Sequence, residues 1–109
     1  MSYSIIATPR FKRELKRLSK KYPSLKHEYL ELIEQLEVQP DMGIPIGNDC
    51  YKIRLAIASK GKGKSGSSRI ITHLYVAGSA VFLLTIYNKG EQDDIADSEV
   101  LKMVKNLQK

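Results

Sequence analysis

The chain has few of the residues that cross-link or bind zinc: one cysteine, Cys50, and two histidines far apart in sequence, His27 and His73. A lone cysteine excludes an intramolecular disulfide. No Cys/His cluster has zinc-ligand spacing, so neither a metal nor another cofactor is expected. Apolar runs are short, and none approaches the roughly 20 residues of a membrane span. The opening MSYSIIATPRFKRELKRL lacks the apolar core of a secretory signal, so the expected compartment is the cytoplasm. No linker or internal repeat divides the 109 residues, and a single domain, 1–109, is expected. Hydrophobic residues make up 42%, which argues against disorder over most of the chain.

Acidic residues are also in the minority. Lys and Arg total 18 against 12 Asp and Glu, a net charge of +6. Such a field raises encounter rates with polyanions and gives non-specific affinity for nucleic acid. Charge alone is equally compatible with a merely soluble basic surface.

Element signals follow in order. Tyr3–Ala7 is short and β-branched, a strand. Thr8-Pro9 opens a helix, with Thr8 as N-cap and Pro9 at the first helical position, where its missing N–H costs nothing. Phe11, Leu15, Leu18 and Tyr22 form its apolar stripe, and Lys12, Arg13, Lys16, Arg17, Lys20 and Lys21 fill its other faces. After Tyr22-Pro23-Ser24 a second helix runs to about Val38 on Leu25, Tyr29, Leu32, Ile33 and Leu36, with Glu28, Glu31, Glu34 and Glu37 exposed. The basic and acidic flanks suit an antiparallel hairpin, with the apolar stripes dominating its energy. Residues 39–49 read as a loop, with Pro40, Gly43, Pro45 and Gly47.

Three strands are then predicted: Tyr51–Ala58, Arg69–Val76 and Ala80–Asn88. A glycine-first two-residue turn at Gly78-Ser79 joins the last two. The nearly continuous apolar run Phe82–Ile86 marks a central strand covered on both faces. Asp97-Ser98-Glu99 opens a last helix, with Val100, Leu101, Val104 and Leu107 behind it. The expected class is α+β in the order β-α-α-β-β-β-α: a mainly antiparallel sheet, the first strand at an edge or beside the last strand, the helical hairpin on one face.

The segment with no packing residue is Lys60-Gly61-Lys62-Gly63-Lys64-Ser65-Gly66-Ser67-Ser68-Arg69. It carries four cations in ten residues, with glycines that let backbone N–H groups approach an anion. Gly63-Lys64-Ser65 resembles a P-loop ending. However, Ala58 stands where that motif needs its first glycine, with Ser59 after it, and a strand follows instead of a helix, so nucleotide binding is not expected.

Lys52 and Arg54 share one face of their strand. With Lys60, Lys62, Lys64, Arg69, Tyr87 and Lys89 they form a cationic set around a tyrosine. A two-residue turn would set Arg69 opposite Asn88 and send Arg69 and Tyr87 to different faces, unless a bulge or strand end reorients one of them. Such a set suits metal-free RNA cleavage: a base takes the ribose 2′-hydroxyl proton, cations stabilise charge on phosphorus oxygens, and an acid protonates the leaving 5′-oxygen. A lysine with neighbouring cations can serve as the base. His73, in mid-strand, reads as a hydrogen-bonded or partly exposed side chain. The bland alternatives are a solvated loop, a half-exposed sheet face and a core tyrosine. On the residues alone, nucleic-acid or protein binding without chemistry stands ahead of cleavage.

The runs Tyr51-Lys52-Ile53-Arg54-Leu55, Gly61-Lys62-Gly63-Lys64-Ser65-Gly66, Arg69-Ile70-Ile71 and Phe82-Leu83-Leu84-Thr85-Ile86-Tyr87-Asn88-Lys89 resemble the RelE/ParE superfamily of bacterial type II toxins, in its RelE/HigB-like branch. Ser67-Ser68 depart from the family's Gly followed by a variable residue. The resemblance implies a small toxin that cleaves mRNA in the ribosomal A site without a metal and is neutralised by a cognate antitoxin, whose complex would set the oligomeric state. It makes Arg54, Lys62, Lys64, Arg69 and Tyr87 the catalytic candidates. Lys62 or Lys64 would be the base-like group, Arg54 and Arg69 the phosphate clamps, and Tyr87 would orient the base. Lys52, Lys60 and Lys89 would be RNA contacts. The ParE branch poisons DNA gyrase instead, so a gyrase inhibitor or a non-catalytic binding member is the alternative.

Overall fold

Thr8 begins the first helix as its sequence requires. In the computed structural model, which describes residues 3–58, 67–88, 90 and 94–107, the Thr8 hydroxyl accepts from Phe11 N at 3.3 Å. It also donates to Leu83 O at 2.9 Å. One side chain thus caps helix α1 (Pro9–Lys21) and fixes its start to the last strand of the chain, an interior strand of the sheet. α1 and α2 (Leu25–Val38) form the predicted hairpin. Phe11, Leu18, Leu25, Leu32 and Leu36 are all buried and make one core with Ile53, Ile70, Val81, Leu83 and Ile86 of the sheet. Each such side chain contributes roughly 1.5–3 kcal/mol on burial, so packing decides the hairpin. The acidic residues do not simply line a flank: Glu28 accepts from Ala58 N at 2.7 Å, tying α2 to the chain end of the third strand.

Five strands form the sheet: β1 (Ser4–Ala7), β2 (Ile44–Gly47), β3 (Cys50–Ala56), β4 (Ser67–Tyr75) and β5 (Ala80–Asn88), in the order β1-β5-β4-β3-β2. β1 lies at the edge, parallel to β5, and the last three strands are the expected antiparallel meander. β5 is buried along its whole length. Helix α3 (Asp97–Lys105) lies on the second face, where Val100 joins a smaller core with Ile71, Phe82, Leu84 and Tyr87, flanked by Met103, Val104 and Leu107. Leu101, expected in that apolar face, is exposed instead. Its neighbour Met103 takes the inward position.

Two expectations about turns are corrected. Residues 39–49 are not all loop: β2 pairs with β3. Asn48 and Asp49, with φ of 56° and 57°, form the two-residue hairpin turn between them. Positive φ at both central positions is the geometry that Asn and Asp tolerate and that matches strand twist. The connection at Gly78-Ser79 is longer than expected. A 3₁₀ turn at Val76–Gly78 precedes Ser79 at φ 49°, and Tyr75 pairs with Ala80.

β5 also carries a bulge. Thr72 pairs with Leu83 but Ile71 pairs with Thr85, so Leu84 is an extra residue. Alternation along a strand has period two, and one inserted residue flips everything after it to the other face. Beyond the bulge, Ile86 joins the hairpin-side core and Tyr87 the opposite one. The flipped register is anchored from α1. The Glu14 carboxylate accepts from Thr85 Oγ1 at 2.7 Å and from Ile86 N at 3.1 Å, past the point where β1 stops pairing with β5. At the strand's end, Asn88 Nδ2 donates to Tyr22 Oη at 3.0 Å. Replacing Glu14 by Leu removes a charged acceptor from both donors. The expected loss is about 2 kcal/mol of stability, read from urea denaturation, and Glu14→Gln should lose less because its amide oxygen still accepts.

Candidate functional site

With the register set by the bulge, three predicted site residues fall in one cross-strand row. Arg54 of β3 lies directly opposite Arg69 of β4, and Arg69 lies directly opposite Tyr87 of β5. Opposed residues of antiparallel strands share a face, so both guanidinium groups and the phenol project to the side away from the helical hairpin. This corrects the separation of Arg69 and Tyr87 that a two-residue turn implied. The four-residue connection by itself would still have split them. The extra residue at Leu84 brings them together. Lys52 shares the face two residues along β3.

The four side chains differ in how they are held. Arg54 is exposed. Arg69 is half-buried, its Nη1 donating to Ser67 Oγ at 3.0 Å and to Ser68 O at 3.4 Å. Ser67-Ser68, the departure from the family pattern, thus helps to orient Arg69. Tyr87 is only 2% exposed, and its hydroxyl donates to Asp94 Oδ1 at 3.2 Å. Lys52 Nζ lies 3.4 Å from the same oxygen. Burial first, and then the charge and hydrogen bond of Asp94, push the Tyr87 phenol up to about 12. At neutral pH Tyr87 is therefore a neutral hydroxyl that can donate a hydrogen bond or a proton, and it is not a base.

Asp94 is the member of this site that sequence reasoning missed. It stands in the segment before α3, seven residues after Tyr87, and no periodicity relates a loop carboxylate to a strand. Lys60, Lys62, Lys64 and Lys89 lie outside the described residues. His73 is buried and stands apart from this site. Its Nδ1 lies 3.0 Å from Asn48 O and 3.7 Å from Cys50 Sγ, which places it at the β2–β3 turn and away from the arginines. It is the hydrogen-bonded histidine that its mid-strand position predicts.

Like charges directly opposite one another on a sheet are destabilising. The Arg54–Arg69 pair carries that cost on the same face as a buried neutral phenol and a lysine. The arrangement can stabilise negative charge spread over two or more oxygens, as on a phosphate. It also leaves a signature in a spectrophotometric titration. The raised Tyr87 value favours the folded state fully below about pH 10, the value of a free tyrosine, and that contribution is lost as pH rises towards 12. Among the six tyrosines, a late step near pH 12 is expected in the folded protein's phenolate absorbance, and Tyr87→Phe should remove it.

A family model described as the RelE toxin of the RelE/RelB toxin–antitoxin system matches residues 8–109. Among solved structures, the free state of a double arginine mutant of E. coli toxin RelE is 16% identical with a TM-score of 0.65, covering 99% of this chain and 100% of that one. The isolated E. coli RelE toxin in another crystal form is 19% identical with a TM-score of 0.52, covering 97% and 100%. A third, E. coli RelE in complex with a peptide of the antitoxin RelB, is 21% identical with a TM-score of 0.50, covering 99% and 100%. These likenesses are of fold. The family match spans nearly the whole chain, and the chain belongs to the RelE toxin family.

Proposed function

We propose that this protein is a single-domain type II toxin that cleaves mRNA on the ribosome without a metal and so inhibits translation, and that it works in the cytoplasm and is held in check by a cognate antitoxin. The observation that carries this reading is the row Arg54–Arg69–Tyr87. Two guanidinium groups kept opposite each other, at a cost to the sheet, are suited to the charge that develops on a phosphate in the transition state.

In the proposed reaction the ribose 2′-hydroxyl attacks the adjacent phosphorus, forming the new O–P bond as the P–O5′ bond breaks. Arg54 and Arg69 neutralise the non-bridging oxygens. Tyr87, neutral and hydrogen-bonded, supports the base or delivers a proton to the leaving 5′-oxygen. Lys62 or Lys64 takes the 2′-hydroxyl proton, its affinity for that proton lowered by neighbouring cations. Lys52, Lys60 and Lys89 hold the RNA backbone. The ribosome supplies the extended message, and the antitoxin sets the oligomeric state of the complex. That a RelE–antitoxin peptide complex exists for a similar chain supports the partner.

Cell-free translation with primer extension on the message tests this directly. Cuts in register with codons are expected. Uncut message together with accumulation of gyrase–DNA cleavage complexes would overturn the reading. Each arginine's charge-assisted contacts are worth about 1.5–3 kcal/mol, so Arg54→Ala and Arg69→Ala should each lower the cleavage rate by about 10- to 100-fold. Removing charge at Arg54, Lys64 and Arg69 together should abolish toxicity while the circular dichroism spectrum stays that of the folded chain. Arg54→Gln relieves the like-charge pair, and we expect it to raise thermal stability slightly while activity falls. Equal or lower stability would argue against a charge conflict at this row.

A further inference from the structure

Asp94 presents a contradiction in a site read as a phosphate clamp. Its Oδ1 receives the Tyr87 hydroxyl at 3.2 Å and lies 3.4 Å from Lys52 Nζ. Two donors that face the same way as Arg54 and Arg69 therefore already converge on one anionic oxygen. The carboxylate side chain is 52% exposed and Lys52 is 25% exposed, so incoming oxygens can reach both. A phosphate brought to the arginine row would meet Asp94 as a like charge and as a competitor for the same two donors. Asp94 is attached to the stretch that leads into α3, through the buried Ile95, so its backbone is held while its side chain faces water.

We propose that Asp94 acts as a built-in anion that occupies the Lys52 and Tyr87 donors in the RNA-free protein and is displaced by an RNA phosphate when substrate binds. This rests on the ribonuclease reading above and deepens it. The contact lowers the affinity of the free toxin for RNA in general. It makes binding depend on a substrate presented firmly enough to compete, such as a message held in extended form. It also keeps Lys52 and Tyr87 aligned on the position that a phosphate oxygen will take, so the donors exchange one anion for another with little rearrangement.

The test compares the wild type with Asp94→Asn and Asp94→Glu. The probe is a short RNA oligonucleotide with 2′-O-methyl riboses, which cannot be cut, and binding is followed by fluorescence anisotropy alongside cleavage on ribosomes. Asp94→Asn should bind the probe about tenfold more tightly at low salt, with the gain shrinking as ionic strength rises. Asp94→Glu, which keeps the charge, should bind within a few-fold of the wild type. The late tyrosine step should move below pH 12 in Asp94→Asn, which reports loss of the carboxylate charge beside the phenol, while burial still holds the step above the ordinary tyrosine value. If that step moves but affinity is unchanged or weaker, and the cleavage rate falls, Asp94 is a positioning residue and the proposal is overturned. If the late step does not move, the Asp94 charge does not act on the Tyr87 donor and the proposal is overturned. If the wild-type chain cuts no message at all, the ribonuclease reading falls and takes this proposal with it. A wild type that cuts, paired with an Asp94→Asn that gains no affinity, sinks the displacement model alone.

Discussion

The extra residue at Leu84 in β5 determines which face Tyr87 presents, and the rest of the site depends on it. Before the bulge, Phe82 and Leu84 point to the α3 side and Leu83 to the hairpin side; after it, Ile86 takes the hairpin side and Tyr87 the α3 side. In unbroken alternation Tyr87 would be buried under α1 and α2, and Arg54 and Arg69 would face solvent without a phenol beside them. A bulge leaves ladder groups unpaired and needs outside partners to persist. Glu14 supplies them, accepting from Thr85 and Ile86 while also bonded to Arg10 at 3.2 Å.

Arg10 extends this support to the other side of the sheet. Its Nη1 reaches Glu99 of α3 at 3.0 Å, so α1, the bulged strand and α3 are joined through one guanidinium and two carboxylates. α3 in turn follows the segment that carries Asp94. The same small set of polar contacts thus positions both the strand that bears Tyr87 and the loop that bears its partner. Apolar burial holds the two layers together, and these directional bonds set the register within them.

The site itself concentrates unfavourable electrostatics. Arg54 opposite Arg69 costs sheet stability, and the buried phenol of Tyr87 can carry no charge at neutral pH. Asp94 offsets part of the positive field in the free protein. Groups arranged against local stability, on a scaffold otherwise consistent with its sequence, are what a site for a charged ligand is expected to look like. Family membership fits this arrangement, while the likeness to solved RelE structures speaks to the fold.

The helices, their caps and the meander were legible in the residues. Thr8-Pro9, the Phe11–Leu18 and Leu25–Leu36 stripes and the apolar run of β5 each express a local rule that tertiary contacts reinforce. The cationic candidates Lys52, Arg54 and Arg69, which share one face of the sheet, were legible as charge with no packing role. Two things were decided only by tertiary structure. The pairing of Arg69 with Tyr87 depends on loop length, which moves Arg69's partner by two residues and keeps the face, and on the bulge, whose one-residue shift the pleat turns into a change of face. Asp94 joins the site because α3 packs where it does, and no sequence spacing encodes the distance from a loop carboxylate to a strand tyrosine.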